Sequence, residues 1–196
     1  IQNPKVTSDP QEVKDADFWV ICVKSYDTKN VAKKLANYVS HDARLISLQN
    51  GVGNVELLAE TFGPGKILAG VTHMGATLLK EGVLQHAGEG ETIIGNLDGS
   101  MGVEFKDLRE LFQKSKVSVR ISKDVMSILW SKLVINVGVN ALSAITRLKN
   151  GRLIQFEGTR RILSDAVTEA LKVAKRKRIK LIYDDMLAKA ESVCEA

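Results

Sequence analysis

At 196 residues, with 44% hydrophobic and 26% charged side chains, the chain has the proportions of a folded globular protein, which argues against a disordered one. The net charge of +5 hints at an anionic ligand but names none, because charge is informative only where it clusters. No unbroken run of about 18 apolar residues occurs and the opening residues lack the charged, apolar and small-residue zones of a leader, so neither a membrane span nor a secretory signal is expected, and the expected location is cytoplasmic.

Phe18 to Val23 (FWVICV) is a short apolar run rich in β-branched and aromatic residues, the pattern of a parallel strand buried on both faces. Val31, Leu35 and Val39 then recur at four-residue spacing, predicting an amphipathic helix over Thr28 to Val39. Leu45 to Gln49 predicts a second strand, and the turn Asn50-Gly51-Val52-Gly53-Asn54 leads into a helix over Val55 to Phe62 that Asn54 can cap. Ile67 to Met74 predicts a third strand. This alternation argues for right-handed parallel crossovers, with ligands outside the carboxyl ends of the strands, where Lys24 and Asn50 stand.

Gly82 to Gly95 alternates short apolar runs with glycines and predicts an added hairpin rather than another crossover. A helix over Val103 to Lys114 and a strand over Val117 to Ile121 close this layer. From Asp124 no further strand is predicted, and two long helical patterns, Asp124 to Ile145 and Thr159 to Lys177, fill the remainder. The expected boundary lies near Ser122, dividing the chain into 1–122 and 123–196, with no Pro-rich linker between. Because the chain opens on Ile1 and its last residues keep a helical pattern, an excerpt of a longer protein is expected.

The chemically suggestive residues lie on the first long helix, in WSKLVINVGVN (Trp130 to Asn140). Four residues advance a helix by about 400 degrees, so Lys132, Asn136 and Asn140 share one stripe. Leu129, Leu133 and Val137 lie beside it and could fill a core, while Gly138 gives up about 1 kcal/mol of helix propensity, tolerable where something approaches closely. Two readings stay open at this point. The stripe either faces solvent or binds neighbouring backbone, or it lines a cleft between the two parts, where a lysine can protonate a developing alkoxide and amides can hold a carboxylate or hydroxyl.

Other signals are weaker. Gly51-Val52-Gly53 either lets a cofactor approach the backbone or is only a turn, and no complete GxGxxG fingerprint is present. Lys24 could contact a phosphate or ribose, or stand in solvent. His73 and His86 are single histidines on predicted strands, and no cluster has metal-ligand spacing, so no metal is expected. Cys22 and Cys194 are far apart in sequence, as free thiols in a reducing compartment would be. Lys175-Arg176-Lys177-Arg178 reads as the solvated last turn of a helix, whose cations favour that end; nucleic-acid binding there would weaken steeply with salt and is not expected.

Five segments together resemble the ketopantoate reductase family, the NADPH-dependent 2-dehydropantoate 2-reductases. They are VICVKSYDT from Val20, SLQNGVGN from Ser47, GVTHMGAT from Gly70, HAGEGETIIG from His86 and WSKLVINVGVNALSAITRLKNG from Trp130. The resemblance implies an α/β fold in which a partial Rossmann-type parallel-sheet domain precedes an all-helical C-terminal domain of the 6-phosphogluconate dehydrogenase-like kind. It implies that Lys132 is the general acid and also binds substrate, that Asn136, Asn140 and Asn150 hold the substrate, and that Asn50 meets both substrate and cofactor. Lys24 would contact the cofactor, and Ala76, in the turn THMGA, would line it through its backbone.

The implied cofactor is NADPH/NADP, the implied partner a small-molecule 2-oxo acid, with no membrane and a homodimer compatible with the family. The family's amino-terminal GxGxxG segment and its C-terminal serine-rich segment and glutamate do not occur here, so this excerpt alone is expected to bind NADPH poorly and to be inactive. The expected activity of the whole is reduction of 2-dehydropantoate to (R)-pantoate towards pantothenate and coenzyme A. The alternatives are reduction of a related 2-oxo acid, or a non-catalytic truncated binding or scaffold protein. A further departure is Arg178, where relatives often have glycine; arginine in a left-handed cap would cost about 1 kcal/mol, so a different helix ending is expected.

Overall fold

The structure is a computed structural model that describes residues 4–195, in two units that divide after Val125. In the first, β1 (Phe18–Ile21), β2 (Arg44–Ser47) and β3 (Ile67–Thr72) are parallel neighbours. They are joined by α1 (Thr28–Leu35) and α2 (Asn54–Phe62), as the crossover pattern predicts. The sheet continues with β6 (Thr92–Asn96), antiparallel to β3, and β7 (Val119–Ile121), parallel to β6, giving the order β1-β2-β3-β6-β7. Between β6 and β7 runs α3 (Glu104–Lys114), whose Phe105 and Leu108 pack with Ile46, Leu68 and Ile94 of the sheet.

Three expectations for this unit change. First, among the described residues β1 stands at the end of the sheet order, with Val20 48% exposed; an apolar run specifies strand propensity but not place in the sheet. Second, the hairpin is formed by β4 (Gly75–Lys80) and β5 (Val83–Gly88), so the Gly82 to Gly95 segment supplies only one of its strands and sends the other, β6, back to the main sheet. Third, Asn54 is the first residue of α2 rather than its cap, which is Gly53 with φ 93°. The Asn54 amide oxygen is already engaged by the Thr28 hydroxyl.

The second unit is helical: α4 (Val125–Thr146, starting at the boundary), α5 (Asn150–Leu153), α6 (Glu157–Arg176) and α7 (Met186–Glu195). Its core joins Val134, Ile135, Val139 and Leu142 of α4 to Leu163 and Val167 of α6 and Met186, Ala190 and Cys194 of α7. At Gly138 a Cβ would stand 3.1 Å from Val167 Cγ2 and 3.2 Å from Leu163 Cγ, so the close approach that tolerates this glycine is helix α6. Buried Ser131 donates to the Ser127 carbonyl (2.7 Å) and accepts from the Ile182 amide (2.9 Å), tying the segment after α6 to α4. By length and composition α4 could cross a bilayer, but half of its most apolar stretch is buried inside the protein, as in a core helix.

The end of α6 departs from expectation. Arg178 does adopt φ 56°, the Ile179 amide reaches the Ala174 carbonyl and the Arg178 amide the Lys175 carbonyl, both at 3.0 Å. This is a Schellman ending with arginine in the left-handed position. The two orphan carbonyls it satisfies offset the strain on Arg178.

Candidate active site

The first unit gathers its candidate residues at the carboxyl ends of adjacent parallel strands. Ile21 pairs with Ser47, and the Leu48 amide extends the ladder to the Ile21 carbonyl. Lys24 and Asn50 each follow three residues after that pair, so neighbouring strands about 4.8 Å apart deliver them to the same end of the sheet. The Lys24 carbonyl accepts from the Asp27 amide (2.9 Å) in a tight turn that leads into α1.

Behind these two residues lies a polar network that was not anticipated. Gln49 donates from Nε2 to the Val23 carbonyl and to Thr28 Oγ1, both at 2.8 Å, and its Oε1 accepts from Ser47 Oγ at 3.1 Å. Thr28 Oγ1 donates to Asn54 Oδ1 (3.0 Å), and Asn54 Nδ2 donates to the Asn50 carbonyl (3.1 Å). Thr28, Ser47, Asn54 and Gln49 are 0%, 2%, 4% and 7% exposed. No local signal marked these residues: Leu45 and Ile46, on opposite faces of β2, are both 0% exposed, so alternation does not single out a buried polar face.

Gly51 and Gly53 have φ of 90° and 93°, and a Cβ at either would meet nothing within 4 Å. The left-handed backbone demands glycine, and the space beside it is open to a ligand. Ala76 is not in a turn: it is an exposed strand residue opposite His86 in β4, next to a register shift at Gly75/Ala76. Such an irregularity leaves backbone groups outside the regular ladder.

In the second unit the spacing argument places Lys132, Asn136 and Asn140 on one face of α4, with Lys132 and Asn136 half-buried and Asn140 exposed. Taking Ser131 as origin at 100 degrees per residue, these three fall at about 100, 140 and 180 degrees, so the stripe starts beside the core residue Val139 at about 80 degrees and runs away from Ile135, Gly138 and Leu142. Leu133 and Val137, expected to help fill a core, are only half-buried; Val134, Ile135, Val139 and Leu142 do so instead. Burial pulls the Lys132 ammonium below the ordinary lysine value. Asn150 is exposed as the first residue of α5.

Other features stand apart. His73 lies just beyond β3 and His86 is exposed on β5, and among the described residues no group of His, Cys, Asp and Glu could hold a metal ion. A cavity of about 400 Å³ bordered by Arg44, Asn96, Asp98 and Glu104 opens at the end of the sheet opposite Lys24 and Asn50. Both cysteines are free thiols, Cys22 exposed and Cys194 buried.

Residues 1–99 match the family described as ketopantoate reductase PanE/ApbA, and residues 124–196 match the ketopantoate reductase PanE/ApbA C-terminal family. The 2-dehydropantoate 2-reductase of Halobacterium salinarum is 34% identical over 193 residues, covering 98% of this chain and 63% of that protein. The crystal structure of a PanE/ApbA family ketopantoate reductase from Ralstonia eutropha JMP134 superposes with a TM-score of 0.86 at 33% identity, over 96% of this chain and 61% of that one. D-mandelate dehydrogenase in its ternary structure with NADH and anilino(oxo)acetate shares the fold, with a TM-score of 0.84 at 22% identity, over 94% of this chain and 60% of that one. The chain therefore spans less than two thirds of the length of each.

Proposed function

The chain belongs to the ketopantoate reductase family, and from that premise we propose that its complete gene product reduces 2-dehydropantoate to (R)-pantoate with NADPH, in the cytoplasm, as a step of pantothenate and coenzyme A biosynthesis. The observation that carries the reading is the half-buried Lys132 with lowered proton affinity, one turn from Asn136 on a face of α4 outside its unit's core. A partly desolvated ammonium gives up its proton more readily than one in water, which suits a general acid.

NADPH, when bound, supplies the hydride that reaches the 2-oxo carbon. Lys132 Nζ donates the proton to the oxygen of that carbonyl, so one hydride and one proton convert the 2-oxo acid to the 2-hydroxy acid. Asn136, Asn140 and Asn150 hold the carboxylate and hydroxyl groups through their amides. Lys24 would offer a cation to the cofactor, Asn50 would meet cofactor and substrate, and Ala76 would line the cofactor through its backbone. The open space beside Gly51 and Gly53, next to the Lys24 strand end, supports this cofactor assignment.

The test is to follow nicotinamide oxidation by the complete gene product with 2-dehydropantoate and a panel of other 2-oxo acids, using NADPH and NADH in parallel. Fastest turnover with 2-dehydropantoate and NADPH is the expected result. Preference for another 2-oxo acid or for NADH would replace the substrate or cofactor named here. Absence of oxidation with every acid by a folded protein would overturn the reading.

A further inference from the structure

We infer that Gln49 is a positioning residue whose buried hydrogen-bond network sets the spacing of the Lys24 and Asn50 loops for binding a nicotinamide cofactor. The inference rests on the cofactor reading proposed above. Gln49 uses both N–H groups, one on the carbonyl of Val23, next to Lys24, and one on Thr28 at the start of α1. From Thr28 the network passes through Asn54, the first residue of α2, and returns to the carbonyl of Asn50. Two loops that share no backbone pairing beyond the Leu48 amide are thereby clamped from behind.

Stability alone does not call for such an arrangement. Apolar side chains could fill the same buried volume without the risk of an unsatisfied polar group, and exchanging both partners of a hydrogen bond for apolar groups of the same shape can be nearly neutral. What apolar packing cannot supply is direction. Each bond here has one geometry, every side-chain polar atom of the network has a partner, and a satisfied buried network fixes a unique local structure. The clamped atoms are main-chain carbonyls, so the side chains of Lys24 and Asn50 stay available to a ligand.

The experiment uses the complete gene product, with NADPH and NADH as probes titrated by nicotinamide fluorescence. Gln49→Met keeps the shape and deletes the network's hub, Thr28→Val deletes the central hydroxyl, and Thr28→Ser keeps it. Gln49→Met and Thr28→Val are expected to weaken cofactor binding about tenfold, or about 1.4 kcal/mol, with Thr28→Ser within about twofold of wild type. Amide exchange without cofactor should quicken in the loops after β1 and β2, and the pH dependence of kcat, which reports Lys132, should not move.

Folded Gln49→Met or Thr28→Val that binds cofactor as wild type does would overturn the inference while leaving the function intact. A shifted pH profile, or loss of cofactor affinity in Thr28→Ser to the same extent as in Thr28→Val, would also overturn it, showing a general structural role. If Gln49→Met does not fold, the Thr28 pair decides alone. Failure of the wild type to bind either nucleotide would overturn the functional reading and this inference together.

Discussion

In the proposed reaction Lys132 is the proton donor, and its half-buried environment has a consequence for pH. Desolvation disfavours the ammonium and lowers its pKa. Because the ammonium is the form that donates, turnover by the complete gene product should be full below that pKa and lost as pH rises through it. The alkaline fall in kcat is therefore expected below the ordinary lysine value of about 10.4. A pH–rate profile that stays flat to that value would contradict the assignment. The same shift makes folding stability rise with pH between the lowered folded pKa and the unfolded one, since the unfolded chain binds more protons there. Sequence spacing sufficed to put Lys132, Asn136 and Asn140 on one stripe, because helical geometry fixes relative angles. It could not tell which neighbouring stripe enters the core: Leu133 and Val137 are as apolar as Val134 and Val139, and only tertiary packing separates them.

Elements end and meet in ways that make separate predictions. Lys116 after α3 and Arg178 after α6 occupy left-handed positions at φ 57° and 56°, each in a Schellman ending. A non-glycine residue there carries about 1–2 kcal/mol of strain, part of which glycine returns through its freer unfolded state. Arg178→Gly should thus raise the unfolding free energy in urea by about 0.5–1 kcal/mol, and a decrease would show that the arginine side chain contributes more than its backbone costs. Where α4 crosses α6, Gly138→Val should destabilise by about 1–3 kcal/mol through overpacking against Leu163 and Val167. An unchanged urea midpoint would mean that the two helices separate freely. The helices were readable because their apolar residues recur with the helical period. Strand β4 was not, because Leu78 and Leu79 are adjacent and both exposed, which leaves no alternation to detect.

Across the whole molecule, the order of a sheet unit followed by a helical unit was legible from where strand patterns stop. The three parallel strands were legible from their crossovers, but the antiparallel return of β6 was not, since pairing partners far apart in sequence leave no local mark. The candidate site residues stood out in the sequence as two groups, the strand-end pair Lys24 and Asn50 and the α4 stripe, whereas the Gln49 network was hidden because each member is an unremarkable polar residue until its burial is known. The proposed reaction turns on Lys132 as the proton donor in reduction of a 2-oxo acid. It is tested most directly by the turnover of 2-dehydropantoate by Lys132→Ala against wild type, both as complete gene products of equal urea stability and equal cofactor affinity. The expected result is a fall in kcat of about 100-fold or more, the scale of a lost general acid. Turnover equal to wild type would show that Lys132 is not the proton donor.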